Sequence, residues 1–219
     1  MESAMESTIA AILIGSYLIG SIPFGLLLTR AAGLGDIRSI GSGSIGATNV
    51  LRTGRKGLAA LTLFFDAGKG AVAVLLARHW GGDVCAYLAA LFAMLGHMRP
   101  VWLRFKGGKG VAVGLGILLA LHPLVGLAAF ATWLLVAALF RYSSLAALAA
   151  ATAAPLYFLC LKAAAPLPML AAALSALIIL AHRKNIERLL QGQESKIGQK
   201  STSAAATSKN APHESPQPE

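Results

Sequence analysis

Three polar clusters in this 219-residue chain carry side chains that can bind anions or handle protons. The first is IGSGSIGATNVLR, residues 40–52. Its Gly41, Gly43 and Gly46 spell G-x-G-x-x-G, and Gly41 and Gly46 followed by Ala47-Thr48 nearly spell a P-loop that lacks the lysine. Both motifs belong to βαβ units. No alternation of strand and helix patterns surrounds this stretch, so the match does not predict a nucleotide fold. The local physics remains: glycines allow tight turns that bring backbone N–H groups to an anion. Ser42, Ser44 and Thr48 add hydroxyls, Asn49 an amide, and Arg52 a guanidinium that can grip a phosphate through two N–H bonds.

The second cluster is GHMRPVWLRFKGGKGVAVGLG, residues 96–116, where Gly107, Gly108 and Gly110 interleave with Lys106 and Lys109 before an apolar run. Amides at a helix N-terminus together with ammonium groups make an anion site. The third is HRKNIERLLQGQE, residues 182–194. His182 and Asn185 are three apart and share a helical face. Glu187 lies about 140° away from His182 around a helix, so the two should not pair. Asp66 and Lys69 stand three apart inside an apolar run. Charges at membrane depth are costly and usually paired, and this spacing suits a mutual salt bridge.

The elements that must position these groups are membrane helices. Hydrophobic residues make up 56% of the chain, charged residues only 13%, and the mean hydropathy is +0.67. A soluble domain carries about a quarter charged residues. The net charge is +10, but the basic residues sit between apolar runs. That pattern indicates membrane topology and an anionic ligand, not nucleic acid. Cys85 and Cys160 have no metal or redox spacing. No metal and no cofactor are expected.

Seven apolar segments can be drawn, at about 8–29, 57–78, 84–98, 111–121, 124–140, 143–161 and 166–182. A span needs about 20 residues, so the third and fourth segments are short. A five-span count, with 111–140 as one kinked span, is the alternative. Glu2 and Glu6 precede the first run with no Lys or Arg, which favours a retained span over a cleaved signal. Arginines and lysines collect in the first and third loops and after the last segment, leaving Arg78 and Lys162 on the other side. The positive-inside rule then places the N-terminus outside and the C-terminus in the cytoplasm. Residues 1–194 form one membrane domain on this reading. Residues 195–219 read as a disordered polar cytoplasmic tail without chemistry, being too poor in apolar residues to order themselves.

Taken together and in this order, the clusters resemble one family, the bacterial acyl-phosphate:glycerol-3-phosphate acyltransferases of the PlsY type. The matching residues are GSIPFG at 20–25, D-x-R-x-x-GSGS-x-GATNVLR at 36–52, D-x-x-KG at 66–70, GH at 96–97, Pro100, FKGGKGVA at 105–112, and H-x-x-N-x-x-RLL-x-G-x-E at 182–194. One departure is Ser44, where the family usually has asparagine. The resemblance implies a transfer of a fatty acyl group from acyl phosphate to the sn-1 hydroxyl of glycerol 3-phosphate, at the cytoplasmic face of the inner membrane. It implies catalytic roles for Ser42, Arg52, Lys109, His182 and Asn185. It implies substrate binding by Gly41, Gly43, Ser44, Thr48, Asn49, Lys106, Gly107, Gly108 and Gly110. The implied partners are acyl phosphate, glycerol 3-phosphate and membrane lipid. A transporter of an organic phosphate is the alternative from another class, but a transporter should show related halves, and no internal repeat is visible.

Overall fold

The computed structural model describes residues 2–199, with side chains from residue 6 onward. The helices are α1 (Glu2–Ser21), α2 (Phe24–Ala31), α3 (Ala47–Leu51), α4 (Lys56–Met98), α5 (Val111–Leu121), α6 (Pro123–Phe140), α7 (Ser143–Cys160), α8 (Pro166–Ala181) and α9 (Arg183–Leu190), with short 3₁₀ turns at Ile37–Ser39 and Val101–Leu103. Among the described residues there is no strand, so the G-x-G-x-x-G spacing does not mark a nucleotide fold. Four helical stretches are long and apolar enough to cross a membrane, and α8 with α9 forms a further pair bent by 62°. Their outward faces carry large apolar side chains such as Phe64, Leu135, Leu139 and Leu180, as a lipid-facing surface requires.

The first apolar segment, expected as one helix, is broken. Pro23 has no N–H to continue the ladder, so α1 stops at Ser21 and α2 starts at Phe24. At the break the Ile22 carbonyl accepts from the Phe24 amide at 3.1 Å and from Lys69 Nζ at 2.6 Å. The same ammonium lies 2.7 Å from Asp66 Oδ1, with both side chains buried. The Asp66–Lys69 pair expected from the three-residue spacing is therefore present. It shares its ammonium with the Ile22 carbonyl at the proline break.

α4 is two antiparallel arms. Asp66 and His97 are some thirty residues apart, about 45 Å along a straight helix, yet His97 Nδ1 is 3.8 Å from Asp66 Oδ1. The chain doubles back at Gly82, whose φ of 72° and ψ of −170° no other residue adopts readily. This matches the sequence division between 57–78 and 84–98. The chain also turns back at His122-Pro123. A Cβ built on Gly126 would lie 2.7 Å from the Leu119 amide nitrogen, too close for one continuous helix. The kinked single span over 111–140 is thereby overturned, and α5 is a separate short helix packed inside the bundle.

Small residues let these helices approach closely. A Cβ on Gly20 would overlap the Ala93 carbonyl, one on Gly96 the Tyr17 carbonyl, and one on Gly116 the Ala67 carbonyl. Such seams substitute for the hydrophobic driving force that is weak between helices in lipid. Val74, Ala90, Met94, Val113, Ile117, Leu174 and Ile178 fill the core between the arms of α4, α5 and α8. The polar tail is expected over 195–219. Residues 195–199 are folded against the bundle, and 200–219 lie outside the described residues.

Candidate active site

The loop from 36 to 52 builds its own frame. Asp36 accepts from the Arg38 amide at 3.0 Å and from its side chain, and also pairs with Arg30 at 3.3 Å. The Arg38 guanidinium holds the Asp36 carboxyl well below the usual carboxylate range. Asn49 is the hub. It is 2% exposed. Its Nδ2 donates to the carbonyls of Ile37, Ile40 and Ser44 at 2.9, 3.0 and 2.8 Å, and its Oδ1 accepts from the Ser42 amide at 3.1 Å. The amide expected to bind substrate is spent on the loop's own backbone, so the structure makes Asn49 an organiser of the turn. Gly41, at φ 56°, passes so close to Arg52 that a Cβ would fall 2.6 Å from Arg52 Cδ. Gly43 shares the positive φ. Gly41 makes room for the arginine, Gly43 turns the backbone beside the Arg38 carbonyl, and neither lines the cavity.

The glycine-lysine loop differs from expectation in a similar way. The Gly107 amide donates to the Met98 carbonyl at 3.2 Å and the Gly108 amide to the His97 carbonyl at 3.0 Å. A Cβ on Gly108 would overlap the His97 ring. These two amides are committed to the end of α4, so they do not cradle an anion, and Lys106 is exposed and away from the cavity. Their packing delivers the next residue instead. Lys109 Nζ donates to Asn185 Oδ1 at 2.6 Å.

Asn185 is part of a buried chain. Its Nδ2 donates to Glu194 Oε1 at 2.7 Å; Ser144 Oγ donates to the same oxygen at 2.8 Å, and Arg188 Nε to Oε2 at 2.7 Å. Burial raises the Glu194 pKa, but these bonds outweigh it and hold the carboxyl below its ordinary value. The carboxylate of this cluster is therefore Glu194, not Glu187. His182, at the bend between α8 and α9, places Nδ1 2.8 Å from the Ile178 carbonyl. A carbonyl only accepts, so Nδ1 carries the proton and a neutral ring presents Nε2 as an acceptor. Thr48 Oγ1 lies 2.9 Å from Ser143 Oγ, tying the first loop to the start of α7. Ser44 Oγ accepts from the Gly46 amide at 3.3 Å.

These groups meet in one cavity of about 860 Å³. Its polar end is lined by Ser42, Ser44, Thr48, Asn49, Arg52, Lys109, Gly110, His182 and Asn185. Its apolar end runs between helices past Ala147, Ala150, Ala151, Leu174, Phe130 and Trp133. The arrangement can neutralise phosphate at one end and take an alkyl chain at the other.

A family model described as glycerol-3-phosphate acyltransferase matches residues 10–192. The chain belongs to the glycerol-3-phosphate acyltransferase family. Glycerol-3-phosphate acyltransferases from Caulobacter vibrioides and Mesorhizobium japonicum are 57% and 58% identical to it, covering 88% and 86% of this chain and 89% and 95% of their own. The fold resembles the crystal structure of PlsY (YgiH), an integral membrane glycerol 3-phosphate acyltransferase, in its glycerol 3-phosphate form. The TM-score is 0.83 and the identity 39%, over 87% of this chain and 96% of that one. A second crystal structure of PlsY, in a lysophosphatidic acid form, gives a TM-score of 0.81 at 38% identity, over 86% and 95% of the two chains.

Several groups that line or support this cavity are not marked as site residues by the sequence. Glu194 closes the third motif but offered no spacing to His182 that would mark it. Ser143 and Ser144 open α7 directly after Tyr142. A serine pair before an apolar run is a helix-start signal, and that signal would have placed hydroxyls at the membrane face. His97 and Asp66 also line the cavity, brought there by the doubling of α4.

The electrostatics of Lys109 give a pH dependence. Burial, with Arg188 and Arg52 nearby, pushes its pKa down to about 8 against the opposing pull of Glu194. The ammonium is present below that value and lost above it. If Lys109 binds phosphate as a cation, kcat/KM should decline above about pH 8, approaching tenfold per unit. Saturating phosphate substrate would raise the lysine pKa, so kcat should hold to higher pH. Lys109→Arg remains cationic throughout and should flatten the alkaline limb while lowering the plateau. A profile of Lys109→Arg that keeps the same limb would assign it to another group.

Proposed function

We propose that this chain transfers a fatty acyl group from acyl phosphate to the sn-1 hydroxyl of glycerol 3-phosphate, giving lysophosphatidate and inorganic phosphate. The observation that carries this is the single cavity joining the Arg52, Lys109 and His182 end to an alanine-lined channel. Both substrates bring phosphate to the first end, and the acyl chain extends into the second. Ser42 and Thr48 supply hydroxyls to the phosphates, and Ser44 assists where the family usually has asparagine. His182 Nε2 accepts a hydrogen bond from the attacking hydroxyl and holds its oxygen in line with the acyl carbonyl. The C–O bond to glycerol forms, the tetrahedral centre collapses, and the acyl–phosphate C–O bond breaks. As the C–O bond forms, the hydroxyl hydrogen leaves its bond to Nε2 and passes to an oxygen of the departing phosphate. Arg52 and Lys109 stabilise the charge that develops on it.

The site faces the cytoplasm on this reading. Arg52, Lys109 and Arg141, from loops, and Arg188, from α9, are gathered around one end of the bundle by bonds to residues 185–197. The other end has Arg78, bonded to Asp83 and to the Ala120 carbonyl. The bias fits positive-inside orientation in a bacterial cytoplasmic membrane.

The test is donor choice. Protein purified in detergent should form lysophosphatidate and release phosphate from acyl phosphate with glycerol 3-phosphate. Acyl-CoA should not replace the donor at comparable kcat/KM, since the short loops leave little room for a separate nucleotide-binding domain. Equal use of acyl-CoA would overturn the donor assignment. Formation of no lysophosphatidate from either donor would remove the reaction itself.

A further inference from the structure

The segment after Glu194 lies beyond the residues that the family model matches, yet it forms a wall of the cavity. Glu194 is its buried anchor, held by Ser144, Asn185 and Arg188. Three residues on, the Ile197 amide donates to the Arg141 carbonyl at 2.6 Å, and Arg141 Nη2 donates back to the Ile197 carbonyl at 3.3 Å. Lys196 Nζ sits over the Tyr142 ring, 5.7 Å from its centre. The strap is thus pinned on both sides of Ser195, and its path crosses the polar end of the cavity.

Ser195 meets Arg52 there. Arg52 Nη2 donates to Ser195 Oγ at 2.5 Å. The hydroxyl oxygen is acting as an acceptor, and among the described residues its own O–H makes no hydrogen bond. A hydroxyl that accepts from a guanidinium and lines the cavity has one donor left to give. An anion seated in the guanidinium fork would be within reach of that donor.

We propose that Ser195 is a further phosphate-binding group of this site, held beside Arg52 by the strap that follows Glu194. The inference rests on the acyltransferase reading for which substrate phosphate it serves, but not for the binding of phosphate as such. The strap does two things: it supplies a hydroxyl donor, and it keeps the Arg52 side chain extended into the cavity before substrate arrives. The residues that carry this, Ser195 to Ile197, are the ones that the composition assigned to a chemically silent tail.

The experiment uses purified full-length protein, Ser195→Ala, Ser195→Thr, and chains ended after Gln199 or after Glu194. Binding of inorganic phosphate is measured by calorimetry, and kcat and KM are measured for both substrates. The chain ended after Gln199 should match the full chain within about twofold. Ser195→Ala should weaken phosphate binding by about fivefold, the scale of one lost hydrogen bond. It should raise KM for one phosphate substrate similarly, with little change in kcat. Ser195→Thr keeps the hydroxyl and should restore most of the binding. The chain ended after Glu194 should lose at least as much as Ser195→Ala. Phosphate binding by Ser195→Ala equal to that of the full chain overturns the proposal, whether or not the shorter chain folds. Ser195-dependent phosphate binding without lysophosphatidate formation would instead overturn the reaction and leave the phosphate site standing.

Discussion

Replacing His182 with alanine is expected to lower single-turnover acyl transfer by about 100-fold, and replacing it with glutamine by clearly less. The reasoning starts from the tautomer. The Ile178 carbonyl fixes the proton on Nδ1, so Nε2 is an acceptor poised at a buried position that lines the cavity. Among the described residues no carboxylate is hydrogen-bonded to Nδ1 to stabilise an imidazolium. The carboxylate of the cluster, Glu194, is engaged by Asn185, Ser144 and Arg188 instead. Lys109, bonded to the neighbouring Asn185, adds positive charge beside the ring. Such surroundings suit a neutral ring that aligns a hydroxyl, with phosphate as the final proton acceptor. Glutamine can accept the same hydrogen bond, while it cannot take the proton. Rates across about pH 5.5–8.5 decide the matter. If glutamine and alanine variants are equally inactive, and added imidazole restores the alanine variant with its own pH dependence, His182 is the base and the substrate-assisted route is wrong.

Arg52→Lys is expected to lose at least about tenfold in kcat/KM, corresponding to about 1.4 kcal/mol, and Arg52→Ala considerably more. The frame around Arg52 is elaborate for a residue that would only set topology. Asn49 closes the turn from within, Gly41 makes room for the arginine's stem, and Ser195 meets its guanidinium. Lysine keeps the charge but loses the planar fork and the two parallel donors. Its ammonium could neutralise a phosphate without orienting it. Near-normal kinetics in a correctly inserted Arg52→Lys would show that charge alone suffices and reduce the fork to a structural contact with the strap.

What could be read in the sequence was what depends on local composition and short spacing. Apolar runs fix membrane helices because backbone groups in lipid must be satisfied within each segment. Gly82 and Pro123 fell in the gaps between runs, and the structure turns the chain at both. Asp66 and Lys69 could be paired because an i, i+3 spacing puts them on one helical face. The clusters carrying Arg52, Lys109 and His182 stood out because glycine and charge are conspicuous against an apolar background. Tertiary structure decided which of those groups remain free for a ligand. Asn49, Gly107 and Gly108 carry phosphate-binding chemistry, but their donors are spent on carbonyls that folding brings to them, and an amide cannot serve a ligand with a hydrogen it has already committed. Glu194 and its chain neighbour Ser195 meet Ser144, from the start of α7, and Arg52, from the first loop, across 50 and 143 residues of chain. Their meeting depends on long-range helix packing that no periodicity encodes. The segment after Glu194 shows the limit most directly. Its composition predicts disorder because it holds little to bury. Yet residues 195–199 are fixed by backbone bonds to Arg141, by the Tyr142 ring and by Arg52, all of which are partners supplied by the rest of the fold.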